Sequence, residues 1–591
     1  MNRILGWTAI GVGTCSAVLW QTVTIAAQPL YLAYPPNNHE TTSDRIFLIG
    51  TAPPAGEVLV NDRPIQRSAA GHFAPTFPLQ VGENLFTLRY QNQTIQLKVT
   101  RQAAQSEVPT GLNFAKDSLT PAADIAHLPG ESICFGAIAP PQAQVSVKLG
   151  NQTIPLQAQT QAVNLPENSA VLTQQNQPSV GSTIGQYQGC TIATTPGNLG
   201  QPQFQLSSKG ASTTQAAPGK VTILAPNQLE VAEVTAEAGT ARTGPTTDYS
   251  RLTPLPKGTR AAVTGREGDW LRLDYGAWIN QKETRLASSA VPPRSLIRSI
   301  SSRQVPGWTE VVFPLQAPVP VSVQQGDRTF TLNLFNTTAQ TDTIYVNPDR
   351  LISRLDWQQV APTQVQYTLQ LKSDQQWGYK LRYEGTSLVL SLRHPPQTSQ
   401  KSKNRSLQGI TILLDPGHGS PNDLGSKGPT GYPEKDVTLV ISKLVREQLL
   451  KRGATVYMTR EGDEDLYPQD RVNQINKLEP AIALSLHYNA LPDNGDAIKT
   501  RGVSTFWYNP QANSLAVFLH DYLVEKLDRP SYGVYWNNLA LTRPTVAPAV
   551  LLELGFMINP EEFEWIVDPK AQQKLAEAIA AGITEWVQSS K

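Results

Sequence analysis

The chain has 591 residues, more than one hydrophobic core can hold, and roughly 100–200 residues per domain gives three to five domains. Charged residues make up 16% of it, and a net charge of +1 without any basic cluster excludes the basic stripe that a nucleic-acid footprint needs. Gln, Thr, Ser and Pro fill the gap, a composition that suits β-rich modules outside the cytoplasm better than a helical enzyme.

In chain order, residues 1–27 read as a signal peptide: Arg3 supplies a positive start, Ile4 to Val23 is mostly apolar, and "TIAA" offers small residues for cleavage before Gln28. An uncleaved anchor is the competing reading, disfavoured because no stop-transfer charges follow. Export to the periplasm or cell envelope follows. Cleavage removes Cys15 and leaves Cys134 and Cys190, an even pair that predicts one disulfide in an oxidising compartment, with two free thiols as the alternative.

Residues 28–101 alternate apolar and polar positions, with Gly, Asn and Pro turns about every ten residues, and predict a small β-sandwich. Residues 102–227 predict another, interrupted by a Gln- and Ser-rich loop at 158–186. Residues 228–288 resemble a bacterial SH3-like domain through Arg242, Gly244, Pro245, Tyr249, Gly258, Trp270 and Trp278, with Ala241 where that family usually has Val. Residues 292–396 alternate again and look like the AMIN-type β domain that targets periplasmic amidases to the wall. A polar stretch, 397–408, which follows Pro395 and Pro396 and lacks apolar periodicity, reads as a linker.

Residues 409–589 change style. Strand-like runs ("TILLDP", "ATVYMT", "AIALSLH", "VSTFWY", "AVLLEL") alternate with amphipathic helices, one carrying Val437, Val440, Ile441, Leu444, Val445 and Leu449 at helical spacing. Such alternation predicts one α/β domain with a mostly parallel sheet, so the fold class is multidomain: all-β modules followed by α/β. Four polar residues sit where buried elements do not want them. His418 follows a strand and lies between two glycines, Glu434 opens a helix, His487 ends a strand, and Glu553 interrupts the apolar run "PAVLLELGF". An unpaired buried carboxylate costs several kcal/mol, so two histidines and two carboxylates at element ends point to a cation; His-Glu-His is a catalytic zinc set.

These blocks together resemble the zinc-dependent N-acetylmuramoyl-L-alanine amidases of the Amidase_3 family: Asp415 to Ser420, Glu434, Ser485 to Ala490, and Pro548 to Phe556. The resemblance implies His418, Glu434 and His487 as Zn2+ ligands, Glu553 as the catalytic carboxylate, and peptidoglycan as substrate, cut between N-acetylmuramic acid and L-alanine. Ser420 replaces a family Gly, and Thr438 stands where the family commonly has Asn. The 66 positions from His487 to Glu553 lack the longer insertion that carries an inhibitory helix in some members. Asp415 and Asn489 are candidates to support ligands, Arg543 to orient a substrate carboxylate, and "DRPSYGVYWNNLAL" to form an aromatic groove wall. Open alternatives are another zinc peptidase acting on wall peptides, or a wall-binding module with a degenerate catalytic domain. Any activator protein is unknown.

Overall fold

The structure is a computed structural model that describes residues 29–103, 108–288, 291–397 and 406–590. The expected signal segment, and residues 398–405 of the expected linker, lie outside the described residues. No helix among the described residues is long and apolar enough to cross a membrane.

Upstream of residue 397 the described residues form strands and two short 3-10 turns. The alternation in Gly82–Tyr90 and Gln93–Arg101 becomes an antiparallel hairpin that buries Phe86, Leu88, Tyr90, Leu97 and Val99 on one face. Further on, Ser132–Ile138 and Gln186–Ile192 pair antiparallel with Cys134 opposite Cys190, and the two are joined in a disulfide. Ile133 and Phe135 take the buried face, which leaves the bridge on the exposed one. The Gln- and Ser-rich interruption is more than a loop: Ala162–Asn164 pairs with Ser179–Gly181 around a 3-10 turn, Asn168–Thr173.

The expected division at residue 227 does not coincide with a sheet edge. Ile125–His127, Gly197–Gly200 and Val221–Ile223 join Arg260–Glu267, Glu230–Val234 and Thr284–Ser288 in one sheet, because Ile125 and Ala126 find their antiparallel partners in Glu267 and Arg266. Residues 295–393 build a five-stranded and a four-stranded sheet around a shared core that includes Phe313, Phe330, Tyr367 and Leu390.

The C-terminal region is α/β. Its elements are β1 (Thr411–Pro416), α1 (Glu434–Lys451), β2 (Thr455–Met458), α2 (Pro468–Leu478), β3 (Ile482–Asn489), β4 (Val503–Trp507), α3 (Asn513–Leu527), β5 (Ser531–Trp536), β6 (Ala549–Phe556), α4 (Pro560–Val567) and α5 (Pro569–Ser589). The sheet order is β2-β1-β3-β6-β4-β5. The first four strands are parallel, and β4 and β5 run opposite to them. Ile412, Leu414, Leu484 and Leu552 face α1, α3 and α5, while Leu413, Ala483 and Leu551 pack on the other face with Ile475 of α2 and with Trp308 from the preceding β region. Burial of both sheet faces explains the near-continuous apolar runs of β1, β3 and β6.

Two further expectations need correction. Residues 406–408 are no linker: Leu407 is fully buried in the α/β core and its N–H donates to the Arg452 carbonyl at 2.9 Å. Val440 is 38% exposed, because Val437, Ile441 and Val445 take the buried stripe of α1.

Candidate active site

The site lies at the carboxyl ends of β1, β3 and β6, where open α/β sheets hold their ligands. β1 stops at Pro416. Gly417 follows, and a methyl group there would sit 2.3 Å from His487 Cε1, so only glycine lets the loop pass that ring. His418 then adopts a left-handed backbone, φ +60°. That conformation is uncommon outside glycine and persists where surroundings enforce it. They do so here through its carbonyls: Arg460 donates to the Pro416 and Gly417 carbonyls at 3.0 and 2.9 Å, Thr438 Oγ1 donates to Gly417 at 2.8 Å, and Arg471 donates to Pro416 and His418. Asp415 anchors Arg471 at 2.7 Å and accepts from Thr459 and Ser485. Asp415 therefore acts on the His418 backbone and touches no imidazole.

His418, Glu434 and His487 converge, with one ligand atom from each lying within 4.8 Å of the others. His418 Nε2 and His487 Nδ1 each stand 3.2 Å from Glu434 Oε1. The histidine side chains are partly exposed, whereas that of Glu434 is 3% exposed. Asp423 Oδ1 meets His418 Nδ1 at 2.6 Å, which fixes the ring and turns Nε2 toward Glu434. Glu434 Oε1 accepts from the Tyr488 N–H, and Oε2 accepts from the Ser426 N–H and hydroxyl. A methyl at Gly425, whose φ is +68°, would lie 2.6 Å from Glu434 Oε2, so glycine is required where this loop crosses the carboxylate.

The electrostatics favour a cation. Burial opposes a charged His418, yet hydrogen bonds and charge from Glu434 and Asp423 push its pKa up to about 9. Burial likewise opposes a charged Glu434, but its bonds to the two histidines hold it well below the usual carboxylate range. Glu553 sits opposite His487 in register on β6. Burial first, and the Glu434 charge second, raise its pKa well above normal. Its Oε2 is buried without a hydrogen-bond partner among the described residues. Two imidazoles, one ionised carboxylate and an orphaned carboxylate oxygen beside them fit a divalent metal with N/O ligands.

The other sequence candidates fall elsewhere. Asn489 ends β3, and its Nδ2 is buried without a partner among the described residues while its Oδ1 accepts from the Ala490 N–H. Arg543 is not at this site. It follows a 3-10 turn before β6 and donates to Asn538, at the opposite end of the sheet from Glu553. The reason is the direction of β4, whose Ser504 lies opposite Glu553 and whose Phe506 lies opposite Leu551, so that β4 and the segments around its end lead away from the cluster. Ser420, the departure from glycine, donates to Asp465 at 2.7 Å and accepts from the Asn422 and Asp423 N–H groups, which closes the loop that presents Asp423. Asp423, Ser426 and Arg471 were missed by sequence reasoning. Only Arg471 carries a signal there, as a charge on the same helical stripe as the buried Val472 and Ile475.

The first β region leans on the same rim. Tyr34 donates to Asp493 in the loop after β3, His39 Nε2 lies 2.9 Å from the same carboxylate, and Phe47, Ile49 and Ala74 pack with Ala497, Phe556 and Ile558. The 168–173 turn reaches this neighbourhood too, with the Tyr532 hydroxyl donating to the Leu172 carbonyl and Asn494 to Gln175.

A family model described as N-acetylmuramoyl-L-alanine amidase matches residues 412–585. The germination-specific N-acetylmuramoyl-L-alanine amidase of Bacillus subtilis (strain 168) is 35% identical over 210 aligned residues, covering 32% of this chain and 84% of that protein. The probable cell wall amidase LytH of Staphylococcus aureus is 37% identical over 185 residues, covering 31% of this chain and 60% of that protein. Among solved structures, the N-acetylmuramoyl-L-alanine amidase from Clostridium difficile 630 is 30% identical and covers 31% of this chain and 98% of that one, with a TM-score of 0.29. All these matches cover about a third of the chain, and the family match coincides with the α/β region that carries the His-Glu-His cluster. Through that region the chain belongs to the N-acetylmuramoyl-L-alanine amidase family.

Proposed function

We propose that His418, Glu434 and His487 hold one Zn2+ ion, and that Glu553 is the proton-transferring carboxylate in hydrolysis of the amide between the lactyl group of N-acetylmuramic acid and L-alanine. The observation that carries this reading is the meeting of three ligand atoms within 4.8 Å beside the unpartnered Oε2 of Glu553. When bound, zinc supplies Lewis-acid activation of water and of the scissile carbonyl. Glu553 accepts the proton of the attacking water at its free oxygen and returns it to the departing alanine nitrogen. Asp423 keeps His418 in one tautomer, and the Tyr488 N–H and Ser426 hold Glu434 so that it accepts without turning. The C–N bond breaks, leaving a lactyl carboxylate on the sugar and a free amine on the stem peptide.

The upstream β regions, SH3-like at 228–288 and AMIN-like at 292–396, are proposed to position this centre on the wall. Export by the N-terminal segment would place the chain in the cell envelope. Substitution separates the two roles at the centre. Glu553→Gln retains near-stoichiometric zinc and loses at least ~10²-fold in rate, as expected for a missing acid/base. His418→Ala and His487→Ala lose the metal itself, since two protein ligands hold an ion less well than three. Zinc content by atomic absorption, together with dye release from purified sacculi, tests this assignment. Zinc lost from Glu553→Gln would make Glu553 a ligand and remove the proposed base. Full activity in metal-free protein would overturn the metal centre.

A further inference from the structure

At the end of the catalytic sheet opposite the His-Glu-His cluster, a cavity of about 740 Å³ opens between three parts of the chain. It is walled by the SH3-like region (Arg251), the AMIN-like region (Tyr379) and the α/β region (Tyr508, Trp536, Arg543). No carboxylate among the described residues lines it. Arg251 Nε is buried without a hydrogen-bond partner, and no ion pair of Arg251 or Arg543 occurs among the described residues. Among the described residues the Arg543 guanidinium donates only to Asn538, at 2.8 and 2.9 Å. Arg242 stands behind them, 7% exposed, and its charge bears on both. Glu283, the acid whose charge acts on Arg251, is occupied in accepting the Thr240 N–H. Burial, and then the neighbouring arginines, pull Arg543 down to about 10. Cations brought together without an ion-pair partner are costly, and an anion in contact with them relieves that cost. Guanidinium forks match planar carboxylates. Beside them Tyr508 and Trp536 pack at a centroid distance of 5.1 Å and an angle of 34°, with Trp536 60% exposed, an aromatic platform open to solvent.

We propose that this cavity is a second glycan site, in which Arg251 and Arg543 take a sugar-borne carboxylate while Trp536 and Tyr508 take the face of the pyranose ring. This ligand rests on the amidase reading. In the substrate the lactyl carbonyl is an uncharged amide, and each cleavage turns it into a carboxylate. The anionic saccharide is therefore the product, and the site holds the enzyme on strands it has already stripped while the catalytic end faces uncut ones.

The probe is a peptide-free glycan of alternating N-acetylglucosamine and N-acetylmuramic acid, titrated into the full chain by calorimetry. It has no scissile amide, so binding is read without turnover and independently of whether sacculi release stem peptides. Binding should weaken at least about tenfold when the lactyl carboxylates are converted to methylamides and by a similar factor in Arg251→Ala, in line with the worth of a charged hydrogen bond, and Trp536→Ala should weaken it through loss of the ring contact. Arg251→Lys should lose part of the affinity and serves if the alanine variant is unstable. All three variants should hydrolyse a short soluble muramoyl-peptide within about twofold of the unsubstituted rate, because the two sites are remote. Equal binding of acid and methylamide, unchanged affinity in both Arg251→Ala and Trp536→Ala, or tighter binding of inorganic phosphate or poly(glycerol phosphate) than of the glycan would each overturn the proposal.

Discussion

The ligand role proposed for His418 rests on its neighbours. Its role depends less on its own chemistry than on Asp423 at Nδ1 and on the arginine and threonine donors that pin the preceding carbonyls. Asp423→Asn should leave the fold intact and lower metal affinity by about 10–100-fold, the usual effect of removing a carboxylate that orients a metal-bound histidine. Competition with a fluorescent zinc chelator measures this, and an unchanged affinity would show that the loop alone orients the ring. His418, His487 and Glu553 stood out in the sequence as polar residues in apolar or glycine-rich runs and Glu434 as an acid opening a helix, and the structure brings His418, Glu434 and His487 together. Asp423 was not, since an Asp in a polar loop looks like any solvated turn residue. Arg543 was misplaced for a different reason: nothing in its local sequence tells which end of the sheet the loop before β6 occupies, and only the antiparallel direction of β4 decides it.

At the scale of elements, the Cys134–Cys190 bridge encloses a long polar segment. The sequence separation of 56 makes it worth about 4 kcal/mol in the chain-entropy model. Reduction should therefore lower the melting transition of the 125–288 region, whose two ends share one sheet, while the amidase transition stays in place. Calorimetry with and without reductant tests this, and coincident shifts of both would show that the two regions unfold as one. A second element-scale prediction concerns the contact of strand Tyr31–Tyr34 and strand His39–Thr41 with the loop after β3. Burial acts to raise Asp493, but hydrogen bonds from His39, Thr41 and Tyr34 outweigh it and hold the carboxylate below its ordinary value. A depressed folded-state pKa contributes stability above the unfolded value of about 3.9 and loses it as pH falls through the folded one. Amide-exchange protection of residues 31–41 should thus be steady above about pH 5 and decline below about pH 4, and Asp493→Asn should remove that decline. Identical profiles would contradict the assignment. Strand alternation made these β elements readable. Their pairing across residue 227 was not, because period-2 patterning shows which face is buried and not which strand lies alongside.

Considered as a whole molecule, the catalytic sheet is approached from both ends. The first β region and the 168–173 turn meet the rim that bears the His-Glu-His cluster, and the β regions at 228–288 and 292–396 meet the opposite end around Arg251, Tyr508 and Trp536. Composition and the change of pattern near residue 409 were enough to separate a β-rich N-terminal part from an α/β C-terminal part. The mutual arrangement rests on single side chains such as Trp308, whose ring packs on the α/β core and is covered by Lys380 at 4.1 Å, and such long-range contacts leave no local signature. The central claim is that this assembly cuts one particular bond. Mass spectrometry of purified sacculi digested with the zinc-loaded protein tests it most directly. The account predicts stem peptides released whole, each with a free L-alanine amine, and glycan strands with lactyl carboxylates. Peptides shortened from within while still attached to muramic acid, or no released product at all, would contradict it.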